Sequence, residues 1–261
     1  MKINKIKTTP KIGVWNRILH WVLHFQHVFW IICITVSLLL LSVLVPYPVW
    51  KKFYDSIIAQ RFLVSLGLIF IVIALSLIWT FGQYVDELLF RFINSAGQRA
   101  KWLDIVMLCL TQMGNFVFAL LVAALFYFNG QRLFAFELIF GLLTLAMIVQ
   151  SLKVLIHRTR PYNKLKNMRV VGIRDSGHSF PSGHTSQAFF MASLFLHYYK
   201  MDGYLGIALY GTAALVGCTR IYVGMHYPRD VIGGAMLGTA WGIIGMFINQ
   251  HIFKFLELGS I

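Results

Sequence analysis

Acidic residues are scarce in this chain. Its 261 positions hold 9 Asp and Glu against 23 Lys and Arg, and no cluster of carboxylates suited to Mg²⁺ lies beside any polar motif, so no metal and no cofactor is expected. Cysteine is scarcer still. Cys33, Cys109 and Cys218 are the 3 present; they lie in or beside apolar segments, lack metal-ligand spacing and cannot all pair, and so read as buried thiols. No linker rich in Pro, Gly or Ser divides the chain, and no low-complexity tract or repeat is evident. The first basic segment runs into a long apolar stretch without a small-residue cleavage pattern, which argues against a cleaved signal peptide.

What is present is apolar. Hydrophobic residues make up 58%, charged residues only 12%, and mean hydropathy is +0.71, which points to an integral membrane protein. Apolar stretches near the length that crosses a bilayer recur around 28–46, 62–82, 105–128, 134–156, 184–200, 204–220 and 231–250. The expected fold is all-α, a polytopic transmembrane helical bundle of about six to seven spans. Segment 83–104 mixes charge with apolar residues at helical spacing and is expected to form an amphipathic interfacial helix. Three parts are expected: 1–60, a basic tail with an extra hydrophobic helix; 61–252, the membrane-embedded functional domain; and 253–261, a short C-terminal tail.

The net charge of +14 sits in short loops beside apolar spans, where it orients helices and meets anionic lipid; no nucleic-acid partner is expected. Orientation stays open. Lys2, Lys5, Lys7, Lys11 and Arg17 mark a cytoplasmic tail, and seven spans counted from it would place loops 83–104, 157–183 and 221–230 in the cytoplasm. If the first apolar segment does not cross, the same loops face outward. The outward placement, in a bacterial cytoplasmic (inner) membrane, is the one carried forward.

Helices alternate in direction, so the span ends near 156, 184 and 220–231 fall on one side of the membrane. They bring together KVLIHRTRP at 153–161, PSGH at 181–184 and TRIYVGMHYPRD at 219–230. Lys153 and Arg160 are seven residues apart, about 700° around a helix, and could face one anion, although Pro161 disfavours helical geometry at Arg160. Snorkelling at a membrane boundary explains that pair as well. Ser182 can cap a helix or donate its hydroxyl, and Gly183 leaves its N–H open to close approach. His184 then stands beside the anion as a possible acid. Pro228 suits a first helical position, which puts Asp230 one turn into a helix and able to point back at His226. A carboxylate on one ring nitrogen fixes the tautomer and frees the other to attack; an interfacial His–Asp ion pair is the blander alternative.

Lys153 and Arg160-Pro161, then Pro181-Ser182-Gly183-His184, then Arg220, His226 and Asp230 together resemble the three-part signature of the type 2 phosphatidic acid phosphatase family, which shares its site with vanadium haloperoxidases. The resemblance covers about residues 62–250. Many members carry Ser where this chain has Thr219, which retains a hydroxyl. The resemblance implies metal-independent hydrolysis of a lipid phosphate through a phosphohistidine. His226 would be the nucleophile, Asp230 its orienting partner and His184 the acid and then base. Lys153, Arg160, Arg220, Ser182 and the Gly183 amide would bind the phosphate.

The partners expected are the bilayer and a lipid phosphate, with a polyprenyl diphosphate or phosphatidylglycerol phosphate as the leading pair. His157, Arg158, Lys164, Lys166, Arg169, Arg174 and His178 add charge for a polyanionic head group, and Tyr162, Tyr222 and Tyr227 could line an acyl entrance. A different class remains in view. His20, His24 and His27 share one helix face, and a haem on such histidines would make the protein a b-type cytochrome-like electron carrier.

Overall fold

The computed structural model describes residues 45–248 apart from 96–100 and 201–202, together with scattered helical positions between 32 and 44. The chain divides into two compact units, residues 1–44 and 45–261. In the first unit, Ser42 Oγ donates to the Leu39 carbonyl at 2.7 Å within the helix. Most of the apolar segment near 28–46, and with it Cys33, His20, His24 and His27, lies outside the described residues.

The second unit is helix and loop throughout its described residues. Helices α1 (Tyr47–Ala59) and α2 (Arg61–Ser76) meet at Gln60 with a 74° bend; α3 is Thr80–Ser95; α4 (Lys101–Gln112) and α5 (Phe116–Phe128) meet at 53°. Then come α6 (Arg132–Ile156), the single turn α7 (Pro161–Lys164), a loop over 165–182, α8 (Gly183–Tyr198), α9 (Gly203–Tyr222) and α10 (Pro228–Ile248).

Among the described residues, three runs are long and apolar enough to cross a membrane: Arg132–Lys164, Gly203–Tyr222 and Pro228–Ile248. Counting each bent pair as one span makes five. Their outward faces carry Phe136, Phe140, Ile207, Leu215 and Ile232, all exposed, as suits helices solvated by lipid tails. The protein is a multi-pass membrane protein. Cys109 and Cys218 are free and exposed on these helices, not buried as expected from their apolar surroundings; next to lipid, an apolar neighbourhood does not imply an interior one. The stretch 62–82 is not one helix either. Its chain turns at 77–79, where Arg229 Nη1 takes the Ser76 carbonyl at 2.5 Å and so satisfies the freed helix end.

Packing converges on α8, which lies between α10, α9 and α6. Gly234, Gly238 and Gly242 recur every four residues on α10 and form the face against α8. A Cβ at Gly238 would lie 2.1 Å from the Ser186 carbonyl, so only glycine permits this backbone approach. On its other side α8 gives Phe190, Met191 and Leu194 to a core with Leu138, Leu142 and Leu145 of α6. The bend between α4 and α5 presses on the start of α8, because a Cβ at Gly114 would meet the His184 carbonyl at 2.6 Å. Tertiary packing thus fixes the N-termini of α8 and α10 side by side, and Ser182 N donates to the Asp230 carbonyl at 3.0 Å across them.

The turn from α9 to α10 is fixed from outside. Gly224 has φ +87°, and a Cβ there would lie 2.3 Å from the Arg169 carbonyl. Buried Asn94 of α3 clamps both chains: its Nδ2 donates to the Tyr222 carbonyl at 2.8 Å and the Arg169 carbonyl at 3.1 Å, and its Oδ1 accepts from Arg169 N at 2.9 Å. Asp86, Phe90 and Asn94 make a buried stripe at four-residue spacing, so α3 is a packed wall of the site on that face.

Candidate active site

Pro228 opens α10 at its first helical position, and Asp230 reaches back to the Tyr227 N–H at 2.8 Å, one half of a capping box. Asp230 is fully buried and committed. Its Oδ2 also accepts from Ser179 Oγ at 2.5 Å, and its Oδ1 from Arg158 Nη1 at 2.6 Å. Behind Arg158 stands Asp86, which takes its Nη2 and, on the other side, Arg229 Nε at 2.7 Å. Arg158 also lies over the Tyr227 ring at 4.4 Å. Asp230, Arg158 and Asp86, all buried, thereby form an alternating network that ends on the part-exposed Arg229.

His226 is 1% exposed and rests on that network. Its Nδ1 faces Asp230 Oδ2 at 3.6 Å, so the two are adjacent as expected but beyond hydrogen-bond length. Nε2 faces Arg160 Nη1 at 3.3 Å. A guanidinium can only donate, so Nε2 carries the lone pair and Nδ1 the proton. Burial is the main cause that pushes the His226 pKa down to about 3; Asp230 opposes it, and Arg160 and Arg220 add to it. The ring is therefore neutral at physiological pH, with its free nitrogen turned to the cations.

Arg160 and Arg220 converge on one point. Arg160 Nη1 donates to Asp175 Oδ2 at 3.3 Å, and Arg220 Nη2 donates to the same oxygen. Arg220 Nη1 is anchored on Thr111 Oγ1 at 2.9 Å. Arg160 straps the following loop, giving Nε to the Gly177 carbonyl at 2.9 Å and Nη2 to the Ser176 carbonyl at 3.0 Å. Lys153 has Arg160, Asp175, Asp230 and Arg220 as its charged neighbours. Around His184 stand Arg220, Asp175, the neutral ring of His226 and Lys153. The cations and histidines singled out in the three motif groups, Lys153, Arg160, His184, Arg220 and His226, thus share one neighbourhood with Asp230.

Lys153 and Arg160 meet by a different route from the shared helical face. Helix α6 ends at Ile156, His157 turns left-handed at φ 51°, and Arg160 is extended with φ −70° and ψ 153° before Pro161. The proline rule prevailed over helical periodicity. Ser182 is the N-cap of α8, yet its side chain caps no amide; its hydroxyl accepts from Thr185 Oγ1 at 2.9 Å. A Cβ on Gly183 would touch only Val149 at 3.8 Å, so packing does not demand glycine there. Its missing side chain leaves an approach to the start of α8, where free amides point outward.

Other sequence-based expectations shift. Tyr222 and Tyr227 are buried, Tyr222 OH donating to Asp104 Oδ1 at 2.7 Å, so neither lines an acyl entrance. Lys164 pairs with Glu87 at 2.9 Å and Arg169 with Asp104 at 2.6 Å. Asp86, Thr111, Asp175 and Ser179 join the site without belonging to any of the three motif groups, and Arg158, expected only to add loop charge, is buried on Asp230. One signal was available: Asp175 is the only acid between 157 and 183.

Comparison with known proteins bears on this arrangement. A family model described as the PAP2 superfamily matches residues 134–253, which contain all three motif groups. Phosphatidylglycerophosphatase B of Bacillus subtilis is 31% identical over 214 residues, covering 74% of this chain and 98% of that protein. This chain belongs to the PAP2 superfamily. Another relative, the undecaprenyl-diphosphatase of Sulfolobus acidocaldarius, is 29% identical over 153 residues, 58% of this chain and 72% of that one. The crystal structure of a transmembrane PAP2 type phosphatidylglycerolphosphate phosphatase from Bacillus subtilis superposes with a TM-score of 0.63 at 26% identity, covering 74% and 98% of the two chains. In this PAP2 protein, Asp86 and Thr111 stand before the matched segment, so the family match alone would not have drawn them into the site.

Proposed function

We propose that this protein is a membrane lipid phosphatase that removes a terminal phosphate from a lipid phosphomonoester or diphosphate through a phosphohistidine on His226. The observation that carries the reading is the His226 ring, with its lone-pair nitrogen on the arginine cluster and its protonated nitrogen toward a buried carboxylate. In the first step His184 holds a proton that the arriving phosphate dianion stabilises; Nε2 of His226 attacks phosphorus, the bond from phosphorus to the leaving oxygen breaks, and His184 gives that oxygen its proton and becomes neutral. Asp230 balances the charge that develops on the ring. In the second step His184 takes a proton from water, the water oxygen bonds to phosphorus, and the P–N bond breaks to release inorganic phosphate and neutral His226.

Lys153, Arg160 and Arg220, with the Ser182 hydroxyl and Gly183 N–H, hold the phosphoryl oxygens. Phosphoryl transfer needs mainly positioning and charge stabilisation, which three cations supply. The relatives named above support a polyprenyl diphosphate or phosphatidylglycerol phosphate as substrate. The hydrolytic unit is 61–252, with 1–60 an appended tail and helix and 253–261 a short tail. Six to seven spans with α3 near the interface, in a bacterial cytoplasmic membrane with the site facing outward, complete the reading.

The test is a panel of lipid mono- and diphosphates presented to the wild type and to His226→Ala. The wild type should release phosphate, be inhibited by vanadate and be indifferent to EDTA, whereas the variant should release none. Turnover retained in His226→Ala would remove the nucleophile assignment, and loss of activity in EDTA would point to other chemistry.

A further inference from the structure

Asp175 has no part in the mechanism above, yet it takes the position that the mechanism reserves for phosphate. One oxygen of its carboxylate, Oδ2, accepts from both Arg160 and Arg220. The same Arg160 nitrogen lies 3.3 Å from His226 Nε2. A phosphoryl group in line for attack needs those donors, so carboxylate and phosphate cannot both hold them. The backbone of Asp175 is tied down independently: its carbonyl accepts from Tyr162 OH at 2.5 Å, and the next two carbonyls are bound by Arg160. Its side chain is 30% exposed, whereas those of the two arginines are 1% and 5% exposed. The carboxylate can therefore swing outward by side-chain rotation while the loop stays in place.

Resting on the phosphatase reading, we propose that Asp175 is a specificity-determining residue, an internal anion that substrate must displace. Exchange of a singly charged carboxylate for a singly charged phosphodiester leaves the charge balance at the two arginines unchanged. Exchange for a doubly charged phosphate end adds one negative charge among cations in a buried setting, where Coulomb attraction is strong. Asp175 thus admits terminal phosphates and turns away the phosphodiester lipids that make up the surrounding bilayer. An internal competitor also weakens the apparent affinity by the fraction of sites it leaves open. Asp175 remains charged while it does so: burial acts to raise its pKa, but Arg220 and Arg160 outweigh this and hold it below the usual carboxylate value.

The test is calorimetric titration of inorganic phosphate, and separately of dimethyl phosphate, into the full chain in detergent at pH 8. The wild type should bind phosphate and give no heat with dimethyl phosphate. Asp175→Asn should bind phosphate about tenfold more tightly, a loss of competition equivalent to about 90% occupancy by the carboxylate, and should gain measurable dimethyl phosphate binding. Asp175→Glu, which restores the charge, should behave as the wild type. Equal or weaker phosphate binding by Asp175→Asn would overturn the proposal and leave the phosphatase reading intact. Phosphate binding by none of the three would instead count against the phosphatase reading itself. Should the Asn variant fail to fold, dimethyl phosphate binding by the wild type as tight as phosphate binding would overturn the proposal alone.

Discussion

At the residue scale, the site depends on what stands behind His226. Asp230 spends its acceptors on Tyr227 N–H, Ser179 and Arg158, and Arg158 is held in turn by Asp86. Arg158→Gln would leave two buried carboxylates without their shared counter-ion, which costs about 3–5 kcal/mol for a buried pair. Thermal unfolding in detergent should show that loss. Because Arg158 acts through Asp230, kcat should fall while KM changes little; a rise in KM with kcat intact would place Arg158 on the substrate instead. The His226 ring makes a second prediction. Its pKa near 3 in the folded chain lies below the ordinary value of 6.5, so above pH 6.5 it is neutral in both states and has no effect on pH dependence. As pH falls from 6.5 toward 3 only the unfolded chain takes up the proton, and stability is lost across that window. His226→Gln should flatten the acid side of a stability–pH curve; an unchanged slope would contradict the buried neutral ring. Residues of this kind divide by legibility. His226, His184 and Arg220 announce themselves by order and spacing, whereas Asp86 and Asp175 touch the site through contacts 72 and 45 positions apart in the chain; no spacing encodes those, and only the isolation of Asp175 as the one acid of its loop marks it.

At the element scale, glycine on α10 sets the distance between the two helix N-termini that carry His184 and Asp230. Gly238→Ala would drive a Cβ into the Ser186 carbonyl, a backbone atom that cannot turn aside. It should destabilise the protein by about 1–3 kcal/mol, as overpacking does, and reduce turnover with it. Gly211→Ala on α9 meets nothing within 4 Å and should leave both unchanged, so equal effects of the two would discount the role of close approach. Helices α6, α9 and α10 are plain in the sequence because each is a long apolar run with a polar motif at one end, the last turn of α6 and α9 and the first turn of α10. The boundary at Gln60 agrees with the span expected to begin near 62, but the break at 77–79 is hidden because Leu77, Ile78 and Trp79 continue the apolar run and the turn answers to a tertiary contact, Arg229 on Ser76; the bend at 113–115 falls inside the expected span 105–128 despite the polar residues Thr111, Gln112 and Asn115.

At the scale of the whole molecule, the motif-bearing ends of α6, α8, α9 and α10 lie together, which follows from alternating helix direction without knowledge of sidedness. A 21-residue α10 rises about 31 Å, enough to cross the hydrocarbon core. A reporter fused after Ile248 should therefore sit on the face opposite His226, and with the site outward it should be active in the cytoplasm. A reporter active only outside would reverse the orientation while leaving the chemistry untouched.

The central claim is covalent: phosphate passes through His226. A lipid phosphate labelled in its terminal phosphoryl group, mixed with the protein and quenched in alkali to spare an acid-labile P–N bond, should leave label on the peptide that contains His226 and none in His226→Ala. Label on another side chain, or rapid turnover with no labelled peptide under conditions where hydrolysis of the intermediate is slowed by His184→Ala, would contradict it.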